Sequence, residues 1–181
     1  MIVCNGAPKT GTHLLLKTVY LFGGLGYTAK HEHKPFVESF NCKHIHIRRN
    51  PRNVLISYIR HFDNADLSKR NIIKHMPIVI EEMKPYIPWI KDKNTLNVTF
   101  EDLLTDEKEL SRIADYLGFD LAYDHFKKIW GNTSTFTGNL SNWRDWWDEE
   151  IDKEWDKNGG RALEAMLGYK PKKNKKKVRK P

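Results

Sequence analysis

The spacing of apolar side chains changes period several times along the chain. Residues 2–5, IVCN, form a short apolar run that stops at Gly6. In THLLLKTVYLF, which begins at Thr12, the apolar residues recur at helical spacing, and GGLGY then supplies glycine stop signals. At 44–47, HIHI alternates as a strand does, with His44 and His46 on one face and Ile45 and Ile47 on the other. Asn50-Pro51 breaks that run, and a helix is predicted from about Arg52 to His61. Residues 71–91 read as an amphipathic helix interrupted by Pro77, Pro85 and Pro88, and TLNVTF at 95–100 reads as a further strand. KELSRIADYLGF at 108–119 is an amphipathic helix with Gly118 as its stop, and the segment 143–169 starts acidic and ends in a short helix. No internal repeat is present. Strands alternating with helices predict an α/β domain with a mostly parallel sheet and short right-handed crossovers.

A length of 181 residues suits one well-buried domain, expected over 1–169, followed by a tail at 170–181. The 39% hydrophobic and 30% charged fractions are those of an ordinary globular protein. No apolar run approaches the ~20 residues of a membrane span, and no secretory core follows Met1. With Cys4 and Cys42 both in predicted core strands and too few cysteines for a disulfide scaffold, a reducing, cytoplasmic setting is expected.

The net charge of +8 changes this picture less than its size suggests. The tail KPKKNKKKVRKP carries eight basic residues and no acids; without them, 23 basic residues face 23 acidic ones. The domain is therefore formally neutral, and no specific nucleic-acid surface is expected on it. The tail is either a solvated end or a contact for an anionic membrane, RNA or acidic partner.

The candidate chemistry starts at NGAPKTGTHLLLK. Gly6 and Gly11 have the spacing of a nucleotide phosphate loop, but Thr12 follows the second glycine where that loop has its lysine. Lys9 lies inside the loop instead. A glycine turn leading into a helix N-terminus offers backbone N–H groups to an anion; Lys9 adds a charge and Thr10 and Thr12 add hydroxyls. A second anion-binding device follows in IHIRRNPRNVLISYIRHF. There a strand delivers Arg48 and Arg49 to a turn, and Ser57 stands two helical turns later. Each device lies at the C-terminal end of a predicted strand, where open α/β sheets bind ligands. A nucleotide phosphorylated at both its 5′ and 3′ positions would need such a pair.

The other polar clusters have plainer readings. His31, His33, Cys42, His44 and His46 match no standard zinc spacing, so strand packing is expected and no metal site. His13 is either a ligand contact or a partly buried residue of the first helical turn. The acidic run from Asp145 to Asp156 reads as a solvated helix start.

These residues resemble the sulfotransferases that use 3′-phosphoadenosine 5′-phosphosulfate (PAPS). The family's 5′-phosphosulfate loop, P-K-S/T-G-T, is matched by Pro8-Lys9-Thr10-Gly11-Thr12. Its 3′-phosphate motif is matched by Arg49-Asn50-Pro51 through Ser57-Tyr58. The family's Y-E-D-L appears as Phe100-Glu101-Asp102-Leu103, its later L-G as Leu117-Gly118, and part of its C-terminal motif as FTGNLSNW, with Gly138 and Trp143 in register. There are departures: Leu14 replaces an aromatic residue, Phe100 replaces the tyrosine, and Phe136 and Thr137 replace a basic pair. Phe136 or Trp143 would then offer a stacking surface for the base.

The resemblance implies a P-loop-NTPase-like three-layer fold and transfer of a sulfuryl group from PAPS to a hydroxyl or amine, leaving adenosine 3′,5′-bisphosphate. It implies no metal requirement, with Lys9 stabilising the charge that develops on the bridging and sulfuryl oxygens. The donor-binding set would be Pro8, Lys9, Thr10, Gly11, Thr12, His13, Arg49, Ser57, Phe100, Phe136, Gly138 and Trp143. The proton acceptor falls in KHEHKPF, with His33 first and Glu32 and His31 in reserve. The rival readings are a small nucleotide kinase and a non-catalytic nucleotide- or RNA-binding module. The kinase would need a lysine after Gly11 and carboxylates for Mg²⁺.

Overall fold

The protein is described by a computed structural model over residues 1–23, 29–36, 41–119 and 142–169. Four strands, β1 (Ile2–Asn5), β2 (Ala29–Glu32), β3 (Lys43–Arg48) and β4 (Thr95–Thr99), form one sheet in the order β2-β1-β3-β4. Every neighbouring pair is parallel, so all four strands end at the same edge. The chain steps from β1 to one side for β2 and to the other for β3. The sheet therefore reverses direction between β1 and β3, the crevice where open α/β sheets hold ligands.

Helices cover both faces. α1 (Thr12–Gly23), α4 (Phe100–Thr105) and α5 (Glu107–Leu117) close one core with Ile2, Cys4, Ile45, Ile47 and Val98 of the sheet. α2 (Pro51–Phe62), α3 (Lys69–Met83), α6 (Glu149–Lys157) and α7 (Gly160–Met166) close the other, around Met76, Ile80, Trp89 and Trp155. This is a P-loop-NTPase-like three-layer α/β architecture. His44 and His46 are buried on the second face, where His44 Nδ1 meets Thr95 Oγ1 at 2.7 Å and His46 Nδ1 meets Asn97 Oδ1 at 3.0 Å. Burial lowers both imidazoles to about 4, so they are neutral core residues.

Local signals explain most boundaries. Asn50 caps α2 through its side chain, with Pro51 at the first helical position. Gly118 ends α5 in the left-handed conformation, φ 77°. Elsewhere the structure corrects the sequence reading. β2 was not expected: as an edge strand of sequence AKHE it has no apolar alternation to reveal it. Pro77 sits exposed inside α3 without ending it, whereas Pro85 and Pro88 fall in a 3-10 helix, Lys84–Lys91. Phe100 begins α4 instead of ending β4, because Thr99 Oγ1 accepts from Asp102 N at 3.0 Å and caps the helix. Cys42 is half-buried just before β3, outside any strand, while Cys4 is fully buried, which pushes its thiol up to about 12.

Candidate active site

The loop from Gly6 to Gly11 leaves the C-terminal end of β1 and turns into α1. Thr10 N and Thr10 Oγ1 both donate to Ala7 O, at 3.2 and 2.7 Å, and Lys9 takes a left-handed conformation, φ 67°. The buried Thr10 hydroxyl is thus used to shape the turn, not to donate outward as the sequence suggested. Gly11 has φ 107°, and a Cβ there would lie 2.5 Å from the Phe100 ring. No other residue fits that approach. The first helical bond of α1 is Leu15 N to Gly11 O, so the N–H groups of Thr12, His13 and Leu14 have no partner within the helix. These donors and the helix dipole face the loop and make it an anion site.

β3 supplies the second half. Arg49, just past its end, is 7% exposed, donates Nη1 to Lys9 O at 3.2 Å and stacks its guanidinium 4.1 Å from the Phe100 ring centroid. Three elements of the expected donor site, the loop, Arg49 and Phe100, therefore meet at one point. Burial lowers Arg49 to about 10, against the opposing pull of Glu101. Lys9 is also held below its ordinary value, by burial first and by Arg49 second. Two cations forced together in a poorly hydrated place favour an anion between them. The buried Nε atoms of Arg48 and Arg49 have no hydrogen-bond partner, and an anion's oxygens would satisfy them.

The histidines lie on the β2 side of the loop. His33 Nδ1 is 2.7 Å from Gly6 O. His13 and His31 face each other through Nε2 atoms 3.3 Å apart, and burial followed by His31, His33 and Lys9 lowers the His13 imidazole. Glu32 is paired with Lys30 Nζ at 2.6 Å, a bond that holds its carboxyl below the usual range and makes it a weaker base. Of the three candidates, His33 alone has one nitrogen bonded to the phosphate loop itself. Among the described residues no group of three His, Cys, Asp or Glu side chains is placed to hold a metal ion.

The remaining predicted residues are more spread out. Pro8 lies in the loop, and Ser57 is half-buried on α2. Trp143 opens a 3-10 helix, Trp143–Trp146; its backbone N–H donates to Asn53 Oδ1 at 3.2 Å and its ring centroid lies 4.4 Å from the Arg52 guanidinium. Phe136 and Gly138 fall outside the described residues.

Glu101 and Arg52 lie in the matched motifs, but two sets of long-range contacts they make had no sequence signal. Glu101 accepts from Asn50 N at 3.0 Å and from the Tyr169 hydroxyl at 2.8 Å, bracing the arginine turn from the far end of the domain. Arg52 donates to Glu164 at 2.5 Å and to Asp152 at 2.8 Å beneath the rings of Trp143 and Trp147. Asp152, read as part of a solvated helix start, instead joins Arg52 and Arg161. Partners 100 and 112 residues apart leave no trace in local spacing.

A glycine loop after β1 and an arginine turn after β3, on an all-parallel sheet, define an α/β protein of P-loop-like fold. The model of the sulfotransferase domain matches residues 30–146, about two thirds of the chain, and the chain belongs to that family. The Pro8–Thr12 loop lies before the matched region. Among solved structures, mouse sulfotransferase SULT7A1 complexed with PAP is similar at a TM-score of 0.71 and 17% identity, over 93% of this chain and 88% of that one. Retinol dehydratase in complex with androsterone and inactive cofactor PAP is similar at 0.66 and 14% identity, over 95% and 82%. No curated protein sequence matches. At these identities the structural likeness concerns the fold.

Proposed function

We propose that the protein transfers a sulfuryl group from PAPS to a hydroxyl or amine acceptor, releasing adenosine 3′,5′-bisphosphate (PAP). The observation that carries this reading is the meeting of Lys9 and Arg49 at the reversal point of the sheet, with unpartnered arginine N–H groups beside them. The loop, the α1 N-terminus and Lys9 would hold the 5′-phosphosulfate; Arg49 and Ser57 would hold the 3′-phosphate. PAP bound to both solved relatives supports this choice of donor. Phe100 supports Arg49 from behind, and Phe136, Gly138 and Trp143 remain candidates for contact with the nucleoside.

In this reading Lys9 neutralises charge as the bond from sulfur to the 5′-phosphate oxygen breaks, and His33 takes the acceptor's proton. Positioning and preorganised charge supply most of the acceleration. The catalytic domain is residues 1–169, and residues 170–181 are an appendage that takes no part in donor binding. Among the described residues no helix is long and apolar enough to cross a membrane.

The test is transfer of labelled sulfate from PAPS across a panel of alcohols, phenols, carbohydrates, amines and tyrosine peptides. Turnover with at least one class, abolished in Lys9→Ala and lowered about a hundredfold or more in His33→Ala, is expected. Phosphoryl transfer from ATP with Mg²⁺, and none from PAPS, would overturn the proposal in favour of a kinase.

A further inference from the structure

Asn5, the last residue of β1, is fully buried and pairs with Glu32 of β2. Beyond it β1 becomes the phosphate loop, whose backbone can no longer extend the ladder with the segment that follows β2. The Asn5 side chain takes over. Its Oδ1 accepts from Lys34 N and from Gly6 N, each at 2.9 Å, and its Nδ2 donates to Lys34 O at 2.9 Å. Trp89 Nε1 donates to the same carbonyl at 3.0 Å. The residue after His33 is therefore held at both its N–H and its C=O, and the same amide holds the first residue of the loop.

His33 then meets Gly6 O through Nδ1 at 2.7 Å. A carbonyl oxygen only accepts, so Nδ1 carries the hydrogen and the basic lone pair is on Nε2. Free histidine favours the opposite tautomer, with its hydrogen on Nε2. From this geometry we propose that Asn5 is a positioning residue: its amide fixes the 33–34 backbone against the phosphate loop, so that His33 presents Nε2 as the proton acceptor. This role rests on the reading of His33 as the base. In the step it serves, the acceptor O–H gives its proton to Nε2 and the oxygen forms a bond to sulfur. The bond from sulfur to the 5′-phosphate oxygen breaks, its electron pair leaving with the bisphosphate. Gly6 O stabilises the resulting imidazolium through Nδ1–H. Asn5 touches none of the reacting atoms. An asparagine directly before a glycine reads in sequence only as a turn signal.

Nitrogen-15 spectra of histidine-labelled full-length protein, with and without bisphosphate, test this directly. The unsubstituted protein should show His33 as the Nδ1–H tautomer. Asn5→Ala should shift it toward Nε2–H and lower kcat about tenfold or more, a larger fold-loss than the one in bisphosphate affinity that follows from freeing Gly6 N. Adding Asn5→Ala to His33→Ala should cost nothing further, because the two act as one unit. An Nε2–H tautomer in the unsubstituted protein would overturn the proposal even if the variant fails to fold. An unchanged tautomer and kcat in Asn5→Ala, beside an inactive His33→Ala, would overturn the role of Asn5 alone. Undiminished kcat in His33→Ala would remove the base assignment and this role with it.

Discussion

Lys9 holds a left-handed backbone conformation that non-glycine residues rarely adopt. The neighbouring turn, closed by the two Thr10 bonds to Ala7 O, maintains it. Its value is that a charged side chain stands inside the loop, next to Arg49, whereas a nucleotide kinase would have its lysine after the second glycine. Lys9→Ala should weaken bisphosphate binding by about ten- to a hundredfold, the cost of losing a charge-assisted contact. Lys9→Arg should recover little of it, since a planar fork does not replace a compact ammonium. Gly11→Ala should reduce binding at least as much, because its Cβ would displace the Phe100 ring that supports Arg49. Titration of these variants with bisphosphate checks all three, and undiminished affinity in Gly11→Ala would contradict the close approach. At this scale the site was largely legible: the loop is contiguous in sequence and its glycine spacing is imposed by backbone geometry. The inward use of the Thr10 hydroxyl was not legible, because a threonine in a loop reads the same whether its hydroxyl points in or out.

Among the elements, what the sequence revealed depended on local pattern. Helices with a full apolar stripe and a cap, such as α2 and α5, were visible from their own residues. β2 was not, and its absence concealed how His31, Glu32 and His33 reach the loop. The final helices were visible as a solvated acidic helix start and a short terminal helix, but not as the carriers of the carboxylates that neutralise Arg52. Arg52→Ala would leave Glu164, 4% exposed, as a buried charge without its main partner. A loss of about 3–5 kcal/mol in urea unfolding is expected. The double substitution Arg52→Met with Glu164→Leu should recover most of that loss, because a buried ion pair replaced by apolar side chains costs little. A double variant as unstable as Arg52→Ala would mean that stacking on Trp143 and Trp147, and not charge pairing, gives Arg52 its worth.

For the whole molecule, the parallel order β2-β1-β3-β4 brings the ends of all four strands to one edge, and the chain's reversal puts Lys9 beside Arg49. The sheet class was predictable from alternating elements, and the pairing of the two anion devices followed from it. Two consequences concern the molecule as one unit. His44 and His46 titrate near 4 in the folded state, against about 6.5 when unfolded. Below pH ~6.5 the unfolded chain therefore binds more protons, so stability is complete above that pH and falls as pH drops toward 4. The loss should be on the order of 3 kcal/mol per histidine. Urea midpoints at pH 7, 5 and 4 should decline accordingly and decline less in His46→Gln; a flat profile would contradict the burial of neutral rings. Deleting residues 170–181 should leave bisphosphate affinity within about twofold, since the domain is neutral without the tail and its anion site lies at the strand ends. Salt-sensitive RNA binding that vanishes on the same deletion, with no effect of PAP, would favour the nucleic-acid reading.

The most direct test of the central claim is calorimetric titration with adenosine 3′,5′-bisphosphate and, separately, with AMP and with ATP, all without metal. Two anion devices joined at the reversal point predict tight binding of the bisphosphate alone, weakened by Lys9→Ala and, independently of AMP, by Arg49→Ala. Equal affinity for AMP and the bisphosphate would show that the 3′-phosphate has no site here and would contradict the assignment.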